Sequence, residues 1–244
     1  MSDKSIDPRL NVIDTRLEKI KKIIAVASGK GGVGKSLVSS VLALLLSRRG
    51  KRVGLLDLDF TNPSTHLILG AESTYPLEDK GVVPPKISGF EYVSIIFFTG
   101  DRPSPLRGPD VTNAFIEILA LTRWSNLDYL VIDTPPGLGD ALLDLINLIK
   151  NLNFLIVSTP SRLSLGTVKK LVSLLKEVNG SVLGVIENMK TDFSPSIKGD
   201  IEAMGVRYLG SIPFDPAIED ALGKPEELLE TRFGKSLSSI ADIL

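Results

Sequence analysis

The densest group of chemistry-bearing residues lies in segment 29–36, which reads G-K-G-G-V-G-K-S. Its spacing fits G-x-x-x-x-G-K-[ST], a loop in which glycines let successive backbone N–H groups turn inward around an anion. The helix that follows adds the positive end of its dipole. Lys35 is placed to reach the β- and γ-phosphates of ATP, and the Ser36 hydroxyl is placed to bind Mg²⁺. The segment therefore predicts a nucleotide-binding set of Gly29, Lys30, Gly31, Gly32, Val33, Gly34, Lys35, Ser36 and Leu37.

Three aspartates supply the acidic groups that such a site needs. Asp57 and Asp59 follow the apolar segment 52–56, and Asp133 follows the apolar segment 129–132. Ligands of parallel α/β sheets bind at the carboxyl ends of the strands, which is where these residues would lie. A carboxylate there can hold Mg²⁺ through water, and another near the γ-phosphate can orient the attacking water. A single aspartate at a strand end can also be a helix cap or a turn residue.

These groups need a scaffold, and the chain alternates short apolar runs with longer runs of helical period. The former predict buried strands and the latter predict helices. Strands are predicted at 23–27, 52–56, 92–98, 129–132, 154–157, 182–186 and near Tyr208. Helices are predicted at 35–49, 111–123, 141–150, 165–178, near Ala217 and at 228–240. The predicted fold class is α/β: a doubly wound, mainly parallel sheet with helices on both faces.

Length, charge and composition limit the function classes. The 244 residues suit one P-loop ATPase domain at 22–244 after a charged N-terminal extension at 1–21. A formal net charge of -1 gives no electrostatic case for binding nucleic acid. The charged start is unlike a signal peptide and no apolar run could cross a bilayer, so we expect a cytoplasmic protein without a transmembrane segment. The chain has no cysteine, which excludes disulfides and thiolate-bound metals or clusters.

Further motifs join the phosphate loop in one pattern. Lys30 gives the loop the form K-G-G-V-G-K-S, and the other stretches are L-L-D-L-D-F-T-N-P-S-T-H-L-I-L-G, L-R-G-P, D-Y-L-V-I-D-T-P-P-G-L-G-D, G-V-I-E-N-M and L-G-S-I-P-F-D-P-A-I. With these motifs, in this order from residue 22 to residue 218, the chain resembles the Mrp branch of the ParA/MinD-type ATPases. The loop and D-T-P-P-G-x-G-D are the specific parts of the resemblance.

The resemblance implies a catalytic set of four residues. Lys30 would reach across a homodimer interface to the partner's nucleotide, as the second lysine of a deviant Walker A motif does. Lys35 would contact the phosphates of its own site. Asp59 would position the attacking water, and Asp133 would be the Walker B carboxylate.

The same resemblance implies the surroundings of the metal and of the γ-phosphate. Ser36, Asp57 and Asp133 would form the Mg²⁺ site, with Asp57 also acting as the partner of Asp59. Segment 135–139 would be a switch that senses the γ-phosphate.

The base of the nucleotide would bind further along the chain. Asn188, in E-N-M, would recognise the amide edge of adenine, because its side chain offers a donor and an acceptor. Pro213 and Asp215 would lie in the loop that flanks the base. The alternatives are an ordinary turn residue for Asn188 and a helix N-cap before Ala217 for Asp215.

One stretch departs from the family. Mrp-type iron–sulfur carriers place C-P-x-C shortly after E-N-M, and the cysteines of two subunits would bridge one cluster. Here Ser194 and Ile197 stand at those positions, and Pro195 is retained. Serine is a poor cluster ligand and isoleucine is none. We therefore expect no iron–sulfur cluster. The phosphate loop and the aspartates still predict ATP and Mg²⁺ as cofactors.

The leading hypothesis is a Mrp-type, Mg²⁺-dependent ATPase switch related to iron–sulfur cluster assembly. Its hydrolysis would be slow and coupled to a homodimer with nucleotide at the interface, and its protein partner is unidentified. One alternative is a ParA/MinD-type positioning or partitioning ATPase that acts on a protein, DNA or membrane-associated cargo. Another is a nucleotide-binding regulator that does not hydrolyse ATP. The apolar spacing in 228–240 favours a helix docked on the core over a basic membrane anchor.

Overall fold

The computed structural model describes residues 7–71, 74–99 and 107–244. Its strands are β1 (Lys22–Ala27), β2 (Val53–Asp57), β3 (Leu77–Glu78), β4 (Val82–Val83), β5 (Lys86–Ile87), β6 (Phe90–Ser94), β7 (Tyr129–Asp133), β8 (Leu152–Ser158), β9 (Ser181–Lys190) and β10 (Tyr208–Pro213). Its helices are α1 (Pro8–Leu17), α2 (Lys35–Arg48), α3 (Thr65–Leu69), α4 (Ile96–Thr99), α5 (Pro109–Leu121), α6 (Asp140–Leu148), α7 (Arg162–Glu177), α8 (Lys198–Ala203), α9 (Ile218–Ala221), α10 (Pro225–Glu230) and α11 (Arg232–Ala241).

Among the described residues, eight strands form one sheet in the order β10-β9-β8-β1-β7-β2-β6-β5, and β3 pairs separately with β4. β5 is antiparallel to β6, and the other neighbours in the large sheet are parallel. Parallel neighbours need crossover connections, which the helices provide. The predicted doubly wound, mainly parallel α/β fold is confirmed.

The sheet separates two apolar cores. In β1, Ile23 and Ala25 pack on one face while Ile24 and Val26 pack on the other, because successive side chains of a strand point to opposite faces. α1, α5, α6, α7 and α8 complete the first core, and α2, α3, α10 and α11 complete the second. Burial on both faces explains why the central strands are continuous apolar runs in the sequence.

The register of three neighbouring strands brings the predicted site residues to one edge of the sheet. Val26 of β1 pairs with Asp133 of β7, and Asp57 of β2 pairs with the same Asp133. The phosphate loop leaves β1 directly after this point. Side chains that are far apart in the sequence therefore meet where β1, β7 and β2 end.

The strand predicted at 92–98 is wrong in its extent. β6 ends at Ser94, and Ile96–Thr99 form the short helix α4. A continuous apolar run does not by itself distinguish a strand from a buried helical turn.

The helix predicted at 228–240 is two helices, α10 and α11. Thr231 lies between them with an extended backbone. Its hydroxyl accepts from the Gly234 N–H at 3.0 Å and donates to Leu228 O at 2.6 Å, which caps α11 and ends α10. The apolar face of α11 is buried in the second core, as expected. Across the described part of the chain, no helix has both the length and the apolar character needed to cross a bilayer.

The charged N-terminal segment contributes to the first core. Residues 1–6 lie outside the described residues, and α1 follows them. Ile13 and Leu17 are buried in the core, and Arg16 Nε donates to Ala120 O of α5 at 3.3 Å. Most of the predicted extension is therefore packed against the sheet domain, while the single-domain boundary itself remains a prediction.

Replacing Ile13 by alanine tests whether α1 unfolds with the domain. Ile13 is 1% exposed, whereas Val12 on the same helix is 41% exposed. Truncating a fully buried isoleucine costs about 2–5 kcal/mol, so Ile13→Ala should lower the free energy of unfolding by that amount in a urea titration. Val12→Ala should change it by less than about 0.5 kcal/mol. Equal effects of the two substitutions would contradict the docking of α1.

Candidate nucleotide site

The phosphate loop connects β1 to α2 and borders a cavity of about 390 Å³. The cavity wall includes segment 31–37, together with Asp59 and Pro136 from other strand ends. Gly32 has φ +72° and Gly34 has φ +82°, which are backbone conformations that glycine adopts at least cost. Gly34 also caps α2, so the positive end of the helix dipole lies at the cavity. The cavity is therefore suited to phosphate.

Lys35 lies at the centre of the site, and only 6% of its side chain is exposed. Its Nζ donates to Asp133 Oδ1 at 2.7 Å, lies 3.4 Å from Ser36 Oγ and is 3.9 Å from Asp59 Oδ2. Ser39, one turn further along α2, also donates to Asp133 Oδ1, at 2.8 Å. The structure thus brings three of the predicted catalytic groups, Lys35, Asp59 and Asp133, into one buried cluster.

Asp133 retains one carboxylate oxygen without a donor. No described residue gives a hydrogen bond to its buried Oδ2. Burying such an oxygen costs free energy unless water or a cation binds it. Mg²⁺ prefers oxygen ligands and is usually held by one or two protein groups together with phosphate oxygens. Asp133 and the Ser36 hydroxyl therefore fit a Mg²⁺ that arrives with a nucleotide. Within the described ranges, no cluster of three or more His, Cys, Asp or Glu offers a different metal site.

Asp57 is fully buried and does not line the phosphate cavity. Its Oδ1 accepts from the Asp59 N–H at 3.0 Å, and its Oδ2 accepts from the Thr65 hydroxyl at 2.6 Å. Burial, and then the charge of Asp133, raises the pKa of Asp57 to about 7. Both oxygens of Asp57 accept hydrogen bonds from protein donors. This geometry favours a role for Asp57 as the partner of Asp59 over a role as a direct Mg²⁺ ligand.

Asp59 uses one oxygen to hold its own loop and presents the other to the cavity. Oδ1 accepts from the Thr61 N–H at 3.2 Å, the Thr61 hydroxyl at 2.7 Å and the Asn62 N–H at 3.1 Å. Oδ2 faces Lys35 at 3.9 Å, which is too long for a hydrogen bond. That oxygen can therefore accept a hydrogen bond from water in the cavity.

A second cavity, of about 190 Å³, lies beside the first, and Leu37 lines both. Its wall also contains Asn188, Met189, Pro213 and Asp215. The residues that the sequence predicts around the base are thus brought together from α2, from β9 and from the end of β10.

Asn188 and Asp215 also make structural hydrogen bonds. Asn188 is 2% exposed, and its Nδ2 donates to Val33 O of the phosphate loop at 2.8 Å. Asp215 accepts from the Ala217 N–H at 3.2 Å and from the Phe233 N–H of α11 at 3.3 Å. Asp215 therefore closes a turn before α9 and bonds to the first turn of α11, but it is not the N-cap of α9, because Ala217 holds that position without a side-chain cap bond. Asn188 has one further amide hydrogen for a ligand.

Gly29 and Lys30 begin the loop but do not line the phosphate cavity. A Cβ at Gly29 would lie 2.5 Å from Thr167 Cβ of α7, so glycine is needed there for packing. Lys30 is half-buried and forms no ion pair within the described ranges.

Segment 135–139, the expected γ-phosphate sensor, lies against the end of β1. The Gly137 N–H donates to Ser28 O at 3.0 Å, and Pro136 lines the phosphate cavity. The segment is thus next to the position that phosphate would occupy. Of the family stretch L-R-G-P, Leu106 lies outside the described residues.

Ser39, Thr65 and Tyr92 belong to the cluster but are not among the residues that the sequence predicts. Ser39 follows Lys35 by four residues, so helical spacing places both on one face and offers a signal. Thr65 and Tyr92 give no comparable signal. Thr65 lies near Asp57 because α3 begins there. Tyr92 lies near Thr65 because β6 pairs in parallel with β2.

Comparison with known proteins identifies the family. The ParA family model described as the NUBPL iron-transfer P-loop NTPase matches residues 19–243. The chain belongs to this family. A member from Aquifex aeolicus, named an iron–sulfur cluster carrier protein, is 39% identical over 245 aligned residues, which cover 92% of this chain and 67% of that protein. The predicted membership of the Mrp-type ParA/MinD ATPases is confirmed.

Solved structures share the fold of this ParA-family chain. A nucleotide-binding protein from Archaeoglobus fulgidus, in complex with ADP, is 31% identical with TM-score 0.78, covering 90% of this chain and 92% of that one. The cell division ATPase MinD of Pyrococcus furiosus has TM-score 0.69 at 23% identity, covering 91% of this chain and 98% of that one. At that identity, the MinD structure supports the P-loop NTPase fold alone.

Gly34 and Gly31 provide a matched test of the loop geometry. A Cβ at Gly34, which has φ +82°, would lie 2.3 Å from Asn188 Nδ2, whereas a Cβ at Gly31 would meet nothing within 4 Å. Without nucleotide, Gly34→Ala should lower the free energy of unfolding by about 1–3 kcal/mol more than Gly31→Ala does. Chemical denaturation of both variants measures the difference. Equal losses would contradict the close approach of Asn188 to the loop.

Proposed function

We propose that this ParA-family protein is a Mg²⁺-dependent ATPase switch. The observation that carries the proposal is the charge of the buried cluster, in which Lys35 faces Asp59 and Asp133, with Asp57 behind them. Carboxylates outnumber the lysine, and no described residue donates to Asp133 Oδ2, so the cluster favours an added cation. A nucleotide that brings Mg²⁺ supplies this cation and also fills the anion-binding loop.

In the proposed reaction, the N–H groups of segment 31–36 bind the phosphates of ATP. Lys35 exchanges part of its contact with Asp133 for a phosphate oxygen and neutralises charge that develops on the γ-phosphoryl group. Ser36 and Asp133 would hold Mg²⁺, which would supply further neutralisation of the phosphate charge. Asp59 Oδ2 accepts a hydrogen bond from the attacking water and holds it in line with the phosphorus.

Two substitutions separate ATP binding from hydrolysis. Asp59→Ala should lower kcat by about 10²-fold or more, because the attacking water loses its acceptor. ATP affinity should stay within about threefold, because Thr61 and Asn62, which also lose Asp59 as an acceptor, are exposed and can donate to solvent instead. Lys35→Ala should abolish measurable ATP binding, because the phosphates lose their cation and buried carboxylates lose their partner. Titration with a fluorescent ATP analogue and a phosphate-release assay measure the two quantities.

Asp200→Ala is the matched control, because Asp200 is exposed and pairs with Lys169 at 3.4 Å, outside both cavities. It should change neither quantity, and circular dichroism checks that each variant is folded. An unchanged kcat in Asp59→Ala would rule out the proposed role of Asp59. Normal ATP binding by Lys35→Ala would rule out the site itself.

We also propose that the switch serves iron–sulfur cluster assembly without cysteine ligands of its own. The Aquifex aeolicus relative is named a cluster carrier, whereas this chain contains no cysteine. In the loop after β9, where the family places its cysteines, the side chains make packing and hydrogen-bond contacts within the chain. Ile197 is 3% exposed in the first core, and Thr191 Oγ1 lies 2.6 Å from Ser194 Oγ. These features support a nucleotide-dependent partner of a protein that holds the cluster.

A homodimer with nucleotide at its interface is part of the proposal. Lys30 lies at the start of the phosphate loop and has no carboxylate partner within the described ranges. A lysine is a compact point charge with three donors, so Lys30 is suited to a phosphate oxygen bound by a second copy of the chain.

Lys30→Ala should impair ATP-dependent dimerisation while ATP binding by the monomer stays within about twofold. A hydrogen bond to a charged group contributes about 1.5–3 kcal/mol, so the dimer dissociation constant should rise about tenfold or more. Sedimentation velocity with a non-hydrolysed ATP analogue measures the constant. Lys51→Ala is the control, because Lys51 is exposed before β2, at the opposite edge of the sheet. If Lys30→Ala dimerises normally, the contact across the interface is wrong.

A further inference from the structure

A chain of buried hydroxyl groups lies behind Asp59. Tyr92 OH is 2.8 Å from Thr65 Oγ1, and Thr65 Oγ1 is 2.6 Å from Asp57 Oδ2. All three residues are 0% exposed. When Asp57 is ionised, Thr65 gives its single hydroxyl hydrogen to the carboxylate, and the Tyr92 hydroxyl is then the donor to Thr65. The hydrogen bonds therefore run in one direction, from Tyr92 through Thr65 to Asp57.

Asp57 holds both ends of the segment that contains Asp59. Its Oδ1 accepts from the Asp59 N–H at 3.0 Å. Its Oδ2 accepts from the Thr65 hydroxyl and, at 3.4 Å, from the Thr65 N–H at the start of α3. Between these ends lie Thr61 and Asn62, whose donors fix Asp59 Oδ1. The direction of Asp59 Oδ2 therefore depends on where the Asp57 carboxylate is held.

The Asp57 carboxylate needs donors to stay in this position. Asp57 and Asp133 are paired in register on neighbouring strands, and buried carboxylates so close repel each other. Lys35 gives its short contact to Asp133 and none to Asp57. Hydrogen bonds to an ionised acceptor are stronger than those between neutral groups. Thr65, supported by Tyr92, supplies such a bond to the Oδ2 that Lys35 does not reach.

We propose that Thr65 and Tyr92 are positioning residues of the ATPase site. Their hydroxyl chain fixes the carboxylate of Asp57, and Asp57 in turn aims Asp59 at the attacking water. The inference rests on the proposed role of Asp59 in hydrolysis. Neither hydroxyl belongs to the wall of the phosphate cavity, so their effect falls on kcat and not on nucleotide affinity.

Three variants separate the hydroxyl groups from side-chain volume. Thr65→Val should lower kcat about tenfold and keep ATP affinity within about twofold, because a charge-assisted bond to Asp57 is lost. Thr65→Ser keeps the hydroxyl and should restore kcat to within about threefold of the natural chain. Tyr92→Phe should lower kcat about threefold, because Thr65 keeps its bond to Asp57 but loses its own donor.

Hydrogen exchange without nucleotide gives a readout that does not depend on catalysis. The amides of segment 59–65 should exchange about tenfold faster in Thr65→Val, and near the natural rate in Thr65→Ser. Thr122→Val is the matched control. Thr122 is also 0% exposed, but its hydroxyl donates to Ile118 O of α5, the helix that ends just before it. That variant should alter neither kcat nor exchange in segment 59–65.

The outcomes distinguish this inference from the proposed ATPase. If Asp59→Ala lowers kcat and Thr65→Val does not, the positioning role is wrong and the ATPase stands. Failure of Thr65→Ser to restore kcat, an equal loss of ATP affinity in Thr65→Val, or unchanged exchange in segment 59–65 would each overturn the positioning role. If the natural chain does not hydrolyse ATP, both proposals are wrong.

Discussion

The salt bridge between Lys35 and Asp133 is the interaction on which the rest of the site depends. Burying an ammonium with a carboxylate costs free energy, which close pairing and further hydrogen bonds offset. Lys35 at 2.7 Å and Ser39 at 2.8 Å satisfy one oxygen of Asp133. These bonds fix the first turn of α2 against the end of β7. They therefore also restrict the conformation of the phosphate loop, which must connect β1 to that turn.

The parallel register of the sheet gives the buried cluster more carboxylates than ammonium groups. It pairs Asp57 with Asp133, so two carboxylates lie side by side at neighbouring strand ends. Burial and this neighbouring charge together raise the pKa of Asp57 to about 7. The fold therefore keeps an excess of acidic groups beside an anion-binding loop, an arrangement that favours the joint arrival of phosphate and a divalent cation.

Much of this architecture follows from local sequence patterns. The glycine spacing of the loop, the apolar strands and the aspartates at their ends predict the fold and the centre of the site. Non-local contacts could not be predicted in the same way. Tyr92 meets Thr65 only because β6 pairs with β2, and the break at Thr231 depends on a hydroxyl that bonds to both neighbouring helices. An apolar run such as 92–98 contains too little information to show where its strand ends.

The hydrogen bond from Asn188 to Val33 O has a consequence for how a ligand is bound. It ties the wall of the second cavity to the backbone of the phosphate loop, so a change at either place displaces the same side chain. If a nucleotide occupies both cavities as proposed, any adjustment of this side chain would be common to the binding of its base and of its phosphates. Adenosine and pyrophosphate, offered as separate molecules, would then each change the affinity for the other by the same factor.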